Sequence, residues 1–482
     1  MISVPKHFRR HLTRTRVRAG ILLLLVGWLV VGTYNTVRRL PPGTSIIGPY
    51  HAVADVEFLY DLTFVRDGEP VVEQQIFDRV LRMIDEAERF VLIDMFLFNN
   101  EHGGDREYIP LTHQLTDRLV AKSAQTPNVD VALVTDEINT FYGAYKPEHF
   151  ARLENAGVDL VITDLTKLRD SNPAYSAVWR VFLRWFGTSG PAFFPHPLTS
   201  SGQKVTARSY LRLFNMKANH RKVIVTDKEC LIASANPHDA SSFHSNIAWV
   251  ARGPICGDVV DSERQVSEFS GTTLPDLAVA ATGQDVSEEV RVRYLTEGGI
   301  RERILTMLGS LQAGDSVDVA MFYLSDRGVV RGLRQAARHG AVVRLILDPN
   351  KDAFGREKGG IPNRQVAHEL HAKDGTEVRW FDTHGEQFHA KLVIVKRQGE
   401  YTIFGGSANL TRRNLQDFNL EADLEVVAQL GHPITHRVTE YFARIWNNDG
   451  GEYTVEYEAY RDPSWLKTVI YRVQEFTGLC SY

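Results

Sequence analysis

The chain has 482 residues, 43% hydrophobic and 24% charged. That length exceeds the roughly 250 to 300 residues that one core sustains, and the composition excludes both a disordered chain and one built wholly of membrane spans. Lys and Arg number 55 against 59 Asp and Glu, a net charge of −4, which gives no global field for a polyanion and argues against nucleic acid as a partner. The three cysteines, Cys230, Cys256 and Cys480, form no CxxC pair and no His/Cys spacing suited to zinc; they are read as small buried or tail residues.

At the N-terminus Lys6, Arg9, Arg10, Arg14, Arg16 and Arg18 precede the apolar run AGILLLLVGWLVVGTYNTV from Ala19 to Val37. The run is close to the roughly 17 to 25 residues of a spanning helix. It is long for a signal-peptide core, and no small-x-small cleavage site follows, so an uncleaved anchor is expected rather than a removed signal. The basic excess before the span predicts a cytoplasmic N-terminus and a catalytic mass outside the cytoplasm, at a bacterial inner membrane. Leu40–Gly43, LPPG, reads as a linker.

The remainder is an internal repeat. FVLIDMFLF (90–98) and VDVAMFYLS (317–325) read as buried strands sharing a central Met-Phe, each after an amphipathic helix, Ile76–Glu88 and Ile300–Leu311. VDVALVTD and AVVRLILD then end at Asp136 and Asp348, and a third pair, GVDLVITD and GTEVRWFD, ends at Asp164 and Asp382. The fourth pair, HRKVIVTDKECLIASANP from His220 and HAKLVIVKRQGEYTIFGGSANL from His389, carries the chemistry. Alternating helices and apolar strands predict a parallel-rich α/β fold, duplicated as a fused pseudo-dimer.

Asp164 and His220 are 56 positions apart, against 7 between Asp382 and His389, so the first half holds an insertion of about fifty residues. It contains Trp179, Phe182, Leu183, Trp185, Phe186, Phe193 and Phe194 with Arg180 and Arg184, which fit a helix packed on the core or one lying in a membrane interface. The same two uses are open to the tail helix, where Trp465, Leu466, Val469, Ile470, Val473 and Phe476 share a face; packing on the core is the expected one.

His220/Lys222 and His389/Lys391 each open a strand in which alternate side chains share a face. One neutral imidazole can attack phosphorus while a protonated one gives its proton to the leaving oxygen. The two lysines supply positive charge to the phosphoryl oxygens and Asn236 and Asn409 supply neutral donors, an arrangement that needs no metal or cofactor. Ser234 and Ser407 either bond the turn backbone or touch phosphate, Gly405 and Gly406 let the chain approach substrate, and His238, His244, His384 and His432 read as surface or packed histidines.

From about residue 55 to 450 the chain resembles the phospholipase D superfamily, whose mark is a duplicated HxKxxxxD followed by Gly/Ser-x-Asn. The first motif is complete in His220, Lys222 and Asp227; in the second, Lys396 stands where the family has Asp, a residue whose role there looks structural. The resemblance implies two fused α/β/α halves in a pseudo-twofold arrangement, here preceded by one transmembrane helix. It also implies crosswise support, Glu421 orienting His220 and Asn246 facing His389, with His220 as nucleophile and His389 as general acid. A phosphohistidine would then be resolved by water or by an alcohol. The anchor, the aromatic insertion and the charge favour a phospholipid at a bilayer, hydrolysed or transferred as by a cardiolipin synthase-like enzyme. The rivals are a nuclease on the same scaffold, using the basic run ARSYLRLFNMKANHRK, and a non-catalytic membrane scaffold; nothing points to an obligate protein partner.

The expected division is 1–43 for the basic segment, anchor and linker, 44–280 for the first half with its insertion at about 165–215, 281–450 for the second half, and 451–482 for an amphipathic tail.

Overall fold

The structure, a computed structural model, describes residues 6–103, 106–199, 202–279, 289–353 and 356–480. The boundary expected at 280/281 and the side chains of Lys6, Arg9, Arg10 and Arg14 fall outside what it describes.

Seven strands recur in each half. In the first they are β1 (Val56–Arg66), β2 (Phe90–Met95), β3 (Asp130–Thr135), β4 (Asp159–Ile162), β5 (Lys222–Thr226), β6 (Cys230–Ala233) and β7 (Asn246–Ala251). In the second they are β8 (Val290–Thr296), β9 (Ser316–Met321), β10 (Val342–Leu347), β11 (Glu377–Phe381), β12 (Lys391–Arg397), β13 (Glu400–Gly406) and β14 (Ala422–Gln429). The spatial orders, β1-β7-β6-β5-β2-β3-β4 and β8-β14-β13-β12-β9-β10-β11, are the same order twice. Short edge strands extend them: Glu69–Glu73 beside β1, His51–Ala52 beside β8 and Thr454–Glu456 beside β11. His51–Ala52, at the start of the stretch expected to open the first half, therefore pairs with the second sheet rather than the first.

The sheets are mixed, not parallel-rich. Among the described strands, only β2-β3-β4 and β9-β10-β11 run parallel, joined by helical crossovers. The β5-β6-β7 and β12-β13-β14 runs are antiparallel because connections of two to fifteen residues return the chain without a crossover. The outer faces bury their apolar residues under Ile76–Glu86, Leu111–Gln125 and Glu148–Asn155 in one half, and under Glu297–Ser310, Arg327–Arg338 and Asn363–Asp374 in the other. The inner faces form one shared core, with Val223, Val225 and Trp249 of the first sheet and Leu392, Ile394 and Leu424 of the second, flanked by helices Ile255–Phe269 and Pro433–Asn447. The halves are thus α/β/α layers fused through that core.

A single helix, Lys6–Val37, precedes them, and its segment Arg16–Val37 is long and apolar enough to cross a membrane. Its last turns dock on the insertion: Trp28 Nε1 donates to Ala174 O at 2.8 Å, Asp170 N–H donates to Asn35 O at 2.9 Å, and Arg38 donates to Thr166 O and Leu168 O at 2.6 and 2.8 Å. In the insertion Trp179 and Arg180 are buried, Arg180 by two 2.8 Å bonds to Asp170, while Phe182, Trp185, Phe186, Phe193 and Phe194 face outward. The tail helix, Trp465–Thr477, also turns the unexpected way. Its buried residues are Tyr471 and Glu475, held by Arg327, Ser325 and Arg412, and the apolar face expected to pack on the core is exposed.

Cys230 and Cys256 form a disulfide with Cα atoms 5.3 Å apart, whereas sequence spacing had suggested only small buried residues. The pair joins β6 to the helix that follows β7 and seals the inner core.

Candidate active site

Both His-x-Lys pairs stand at equivalent strand ends, with Lys222 opposite Met95 and Lys391 opposite Met321 in identical register. The shared Met-Phe dipeptide now has a physical role. The Phe96 ring lies 4.8 Å from that of His220 and 5.0 Å from Lys222 Nζ, and the Phe322 ring lies 5.0 Å from that of His389 and 5.1 Å from Lys391 Nζ. Each ammonium also donates to the carbonyl of its own histidine, at 2.7 and 2.8 Å. One aromatic ring per half thus walls the histidine and lysine that share a face.

Each histidine is fixed by both halves. Asp136 accepts the N–H of Asn219 at 2.6 Å and Asp348 that of Phe388 at 2.8 Å, holding the residue just before each histidine. The His220 N–H donates across to Leu420 O at 2.9 Å, and the His389 N–H to Ser245 O at 2.8 Å. The side chains cross as well: His220 Nδ1 lies 2.9 Å from Glu421 Oε2, and His389 Nδ1 lies 3.0 Å from Asn246 Oδ1. Asn246 donates through Nδ2 to His244 O at 3.0 Å, so its Oδ1 accepts, and Nδ1 of His389 bears the hydrogen. The crosswise pairing implied by the family resemblance is present in this geometry.

Ser234 and Ser407 bond the backbone and also the side chains that orient the histidines. Each hydroxyl accepts a backbone N–H, from Ile247 at 3.0 Å and Ala422 at 2.9 Å, and each donates to the orienting side chain, Asn246 at 3.0 Å and Glu421 at 2.5 Å. Asn414 donates to the other Glu421 oxygen. Asn236 accepts the Leu97 N–H at 3.2 Å through Oδ1, whereas the buried Oδ1 of Asn409 has no partner among the described residues. Asp227 accepts the N–H groups of Glu88 and Arg89 at 2.9 and 3.2 Å, at the strand end remote from the lysine. At the corresponding point β12 continues through Lys396 into its hairpin, so no acceptor is required there.

Gly405 and Gly406 are packed closely against the neighbouring strands. A Cβ on Gly405 would lie 2.7 Å from Trp249 Nε1, and one on Gly406 would lie 2.3 Å from Ala422 O. His244, read as a packed histidine, has its ring 5.9 Å from that of His389 and belongs to the site wall.

Burial governs the electrostatics. It pushes His220 and His389 well below the usual imidazole range, reinforced by Lys222 and Lys391. It lowers Lys222 to about 7, and it holds Lys391 well below the usual ammonium range, with Lys222 adding to the effect. It raises Glu421 to about 8, against the pull of Lys222. Both members of the His220–Glu421 contact are therefore driven toward their neutral forms, and at neutral pH they hold one proton between them. The site is an enclosure of buried lysines and histidines in which burial disfavours every positive charge.

Arg221, between the motif residues, is fully buried and binds Glu263 at 2.9 Å and Glu297 at 2.7 Å. Glu297 Oε1 also accepts the Glu421 N–H at 3.0 Å, so a residue of the first motif fixes the backbone of the carboxylate in the second half. Its counterpart in the second motif is Ala390, which is why motif matching did not single it out.

Residues 306–446 match a family model described as cardiolipin synthase, PLD-like domain. Among solved structures, the phosphatidylserine synthase of Haemophilus influenzae Rd KW20 aligns at 11% identity over 89% of this chain and 96% of that one, with a TM-score of 0.55. Polyphosphate kinase from Porphyromonas gingivalis aligns at 12% identity over 89% and 54% with a TM-score of 0.46, and Nuc, a phospholipase D family member from Salmonella typhimurium, at 18% over 34% and 98% with 0.26. Among curated proteins no sequence matches. The fold with its paired His-x-Lys strand ends is a two-halved α/β architecture in which the same strand order occurs twice. Residues 306–446 thus match a PLD-like domain, and the chain as a whole shares the fold of the phosphatidylserine synthase.

Proposed function

We propose that the chain is a membrane-anchored phosphodiesterase acting on glycerophospholipids through a phosphohistidine, by hydrolysis or by phosphatidyl transfer. The observation that carries this reading is the crosswise contact of His220 Nδ1 with Glu421, which leaves Nε2 to attack. In the first step a bond forms between His220 Nε2 and phosphorus as the bond to the leaving oxygen breaks, and His389 gives that oxygen a proton. In the second, water or an alcohol passes its proton to His389 and attacks phosphorus, breaking the N–P bond and returning His220. Lys222, Lys391, Asn236 and Asn409 hold the non-bridging oxygens, and the entering phosphodiester anion restores the charge that burial removes from the lysines and from His389. Asn246 leaves His389 without a counter-ion, which suits a group that must release its proton.

Transfer is favoured by the description of the matching family, and a lipid substrate by the apolar N-terminal helix. The Cys230–Cys256 disulfide supports an extracytoplasmic position for the halves, taken as 44–280 and 281–450, since such bonds persist in oxidising compartments.

The test is product analysis with the detergent-solubilised protein, labelled phosphatidylglycerol and other phospholipids, with and without glycerol or ethanol, beside His220→Ala. Phosphatidic acid or a phosphatidyl-alcohol that disappears in the variant is the expected result. No product from any lipid would turn the assignment to the nuclease, and full biological effect of His220→Ala would turn it to the scaffold.

A further inference from the structure

Two apolar surfaces remain outside the core and outside the site. On the tail helix Trp465 is 76% exposed and Phe476 83%, with Leu466, Val469 and Val473 between them on the same face. On the insertion Trp185 is 69% exposed and Phe182 53%, beside Phe186 and Phe193. Scattered exposed apolar residues need no explanation, but two aromatic-rich faces on elements that adjoin do.

They adjoin at one junction, and the junction is the foot of the N-terminal helix. Residues 170–177 receive that helix through Asn35, Gly32 and Trp28; a Cβ on Gly32 would lie 3.3 Å from Pro173 O. The same stretch receives the end of the tail helix. Gly478, at φ +74°, sits so close that a Cβ there would lie 1.8 Å from Ser171 O. An apolar groove of about 330 Å³ between Leu29, Thr33, Val37 and Pro173 continues the surface onto the helix itself.

The flanking charges are basic and partly spent on rings: the Arg184 guanidinium lies 4.0 Å from the Trp185 ring centre and that of Arg208 6.0 Å from Phe186. Aromatic rings with snorkelling arginines, next to the point where a span emerges, match the chemistry of a lipid headgroup boundary. The surface also borders the reacting groups. After Gly478 the chain packs Cys480 on Phe322 and Tyr323, and Phe322 is the ring against His389.

We propose that the insertion and the tail helix together form a platform that lies in the headgroup region of the leaflet from which Arg16–Val37 emerges, seating the second half's histidine next to that leaflet. The occupant of both faces is the bilayer surface. This rests on the membrane reading of the N-terminal helix, and the experiment separates the two.

The full-length protein is reconstituted in phosphatidylglycerol-containing vesicles in a Cys480→Ala background, with an environment-sensitive fluorophore at one introduced cysteine: Trp185→Cys, Phe476→Cys, Leu25→Cys within the N-terminal helix, or Lys228→Cys in the turn remote from the site. Lipid-borne quenchers placed at shallow and deep positions are added. Labels at 185 and 476 quenched several-fold more by shallow than by deep quenchers, with the label at 228 unquenched, support the platform. Labels at 185 and 476 as wet as that at 228 while 25 is quenched deeply overturn the platform and leave the span standing. Labels wet at 25, 185 and 476 overturn both. A blue-shifted label at 185 or 476 that no lipid quencher reaches means that protein covers the face, and overturns the bilayer as occupant.

Discussion

The Glu421 carboxylate stands 2.9 Å from Nδ1 of His220, although the two residues lie 201 positions apart and in different halves. Its counterpart across the pseudo-twofold axis is the uncharged Asn246, 3.0 Å from His389. A carboxylate stabilises the positive phosphohistidine that forms on its partner, and a carboxamide cannot. Rapid quenching with labelled substrate should therefore trap phosphate on the peptide containing His220, and Glu421→Gln should slow its formation about 10²-fold or more. Label recovered on His389 would reverse the roles. The variant also carries a stability signature. Burial raises the Glu421 carboxyl to about 8, so its contribution is fully present below the ordinary carboxylate range and is lost as pH rises through about 8. Glu421→Gln should show a flatter thermal midpoint between pH 5 and 9.

Anion affinity should fall with rising pH. Burial lowers Lys222 to about 7 and holds Lys391 well below the usual ammonium range, so in the empty site the charge of Lys222 is present below about 7 and absent above it. Binding a phosphodiester or inorganic phosphate requires the charged form and takes up a proton above that pH. The binding constant should weaken by at most about tenfold per pH unit per proton above pH 7. Calorimetry with phosphate in two buffers of different ionisation heat measures both. A flat profile, or one unchanged in Lys222→Met, would remove the lysines from anion binding.

How much of this was legible depended on repetition. The duplicated His-x-Lys and Ser-Ala-Asn segments, the helix before each first strand and the strands ending at Asp136 and Asp348 were visible because each appears twice. The shared Met-Phe was visible too, but that its ring packs on histidine and lysine needed the register of β2 on β5. Features present once were harder to see. Arg221 has only Ala390 as counterpart, and Cys230 and Cys256 are 26 positions apart with no pattern around them. Amphipathic spacing identified the apolar face of Trp465–Thr477 but not its direction, which Tyr471 and Glu475 decide by bonding inward with Arg327 and Ser325.

Arg221 should matter more to the fold than to direct chemistry. It is buried beside Glu263 and Glu297, and removing one member of such a cluster strands the others' charge without solvent. Arg221→Ala is expected to cost about 3–5 kcal/mol in denaturant unfolding. Arg221→Lys should recover little of it, because one ammonium cannot reproduce the forked contacts to both carboxylates. Activity should fall with stability, since Glu297 holds the Glu421 backbone. Near-normal unfolding in either variant would show that the cluster holds less charge than its geometry implies.

The disulfide makes compartment and stability one experiment. Cys230 and Cys256 close a loop with a separation of 26, for which chain entropy gives about 3.5 kcal/mol of stabilisation. Reduction, or Cys230→Ser, should lower unfolding stability by roughly that amount and leave the His220–Glu421 contact in place, because the bridge lies in the inner core away from the strand ends that carry the lysines. Differential alkylation in intact cells then reads the topology. Both cysteines blocked from the first alkylating agent and released only after reduction place the halves in an oxidising compartment. Both modified as thiols, after unfolding but without reduction, would place them in the cytoplasm, and the basic N-terminal segment would then lie on the opposite side from that predicted by its charge.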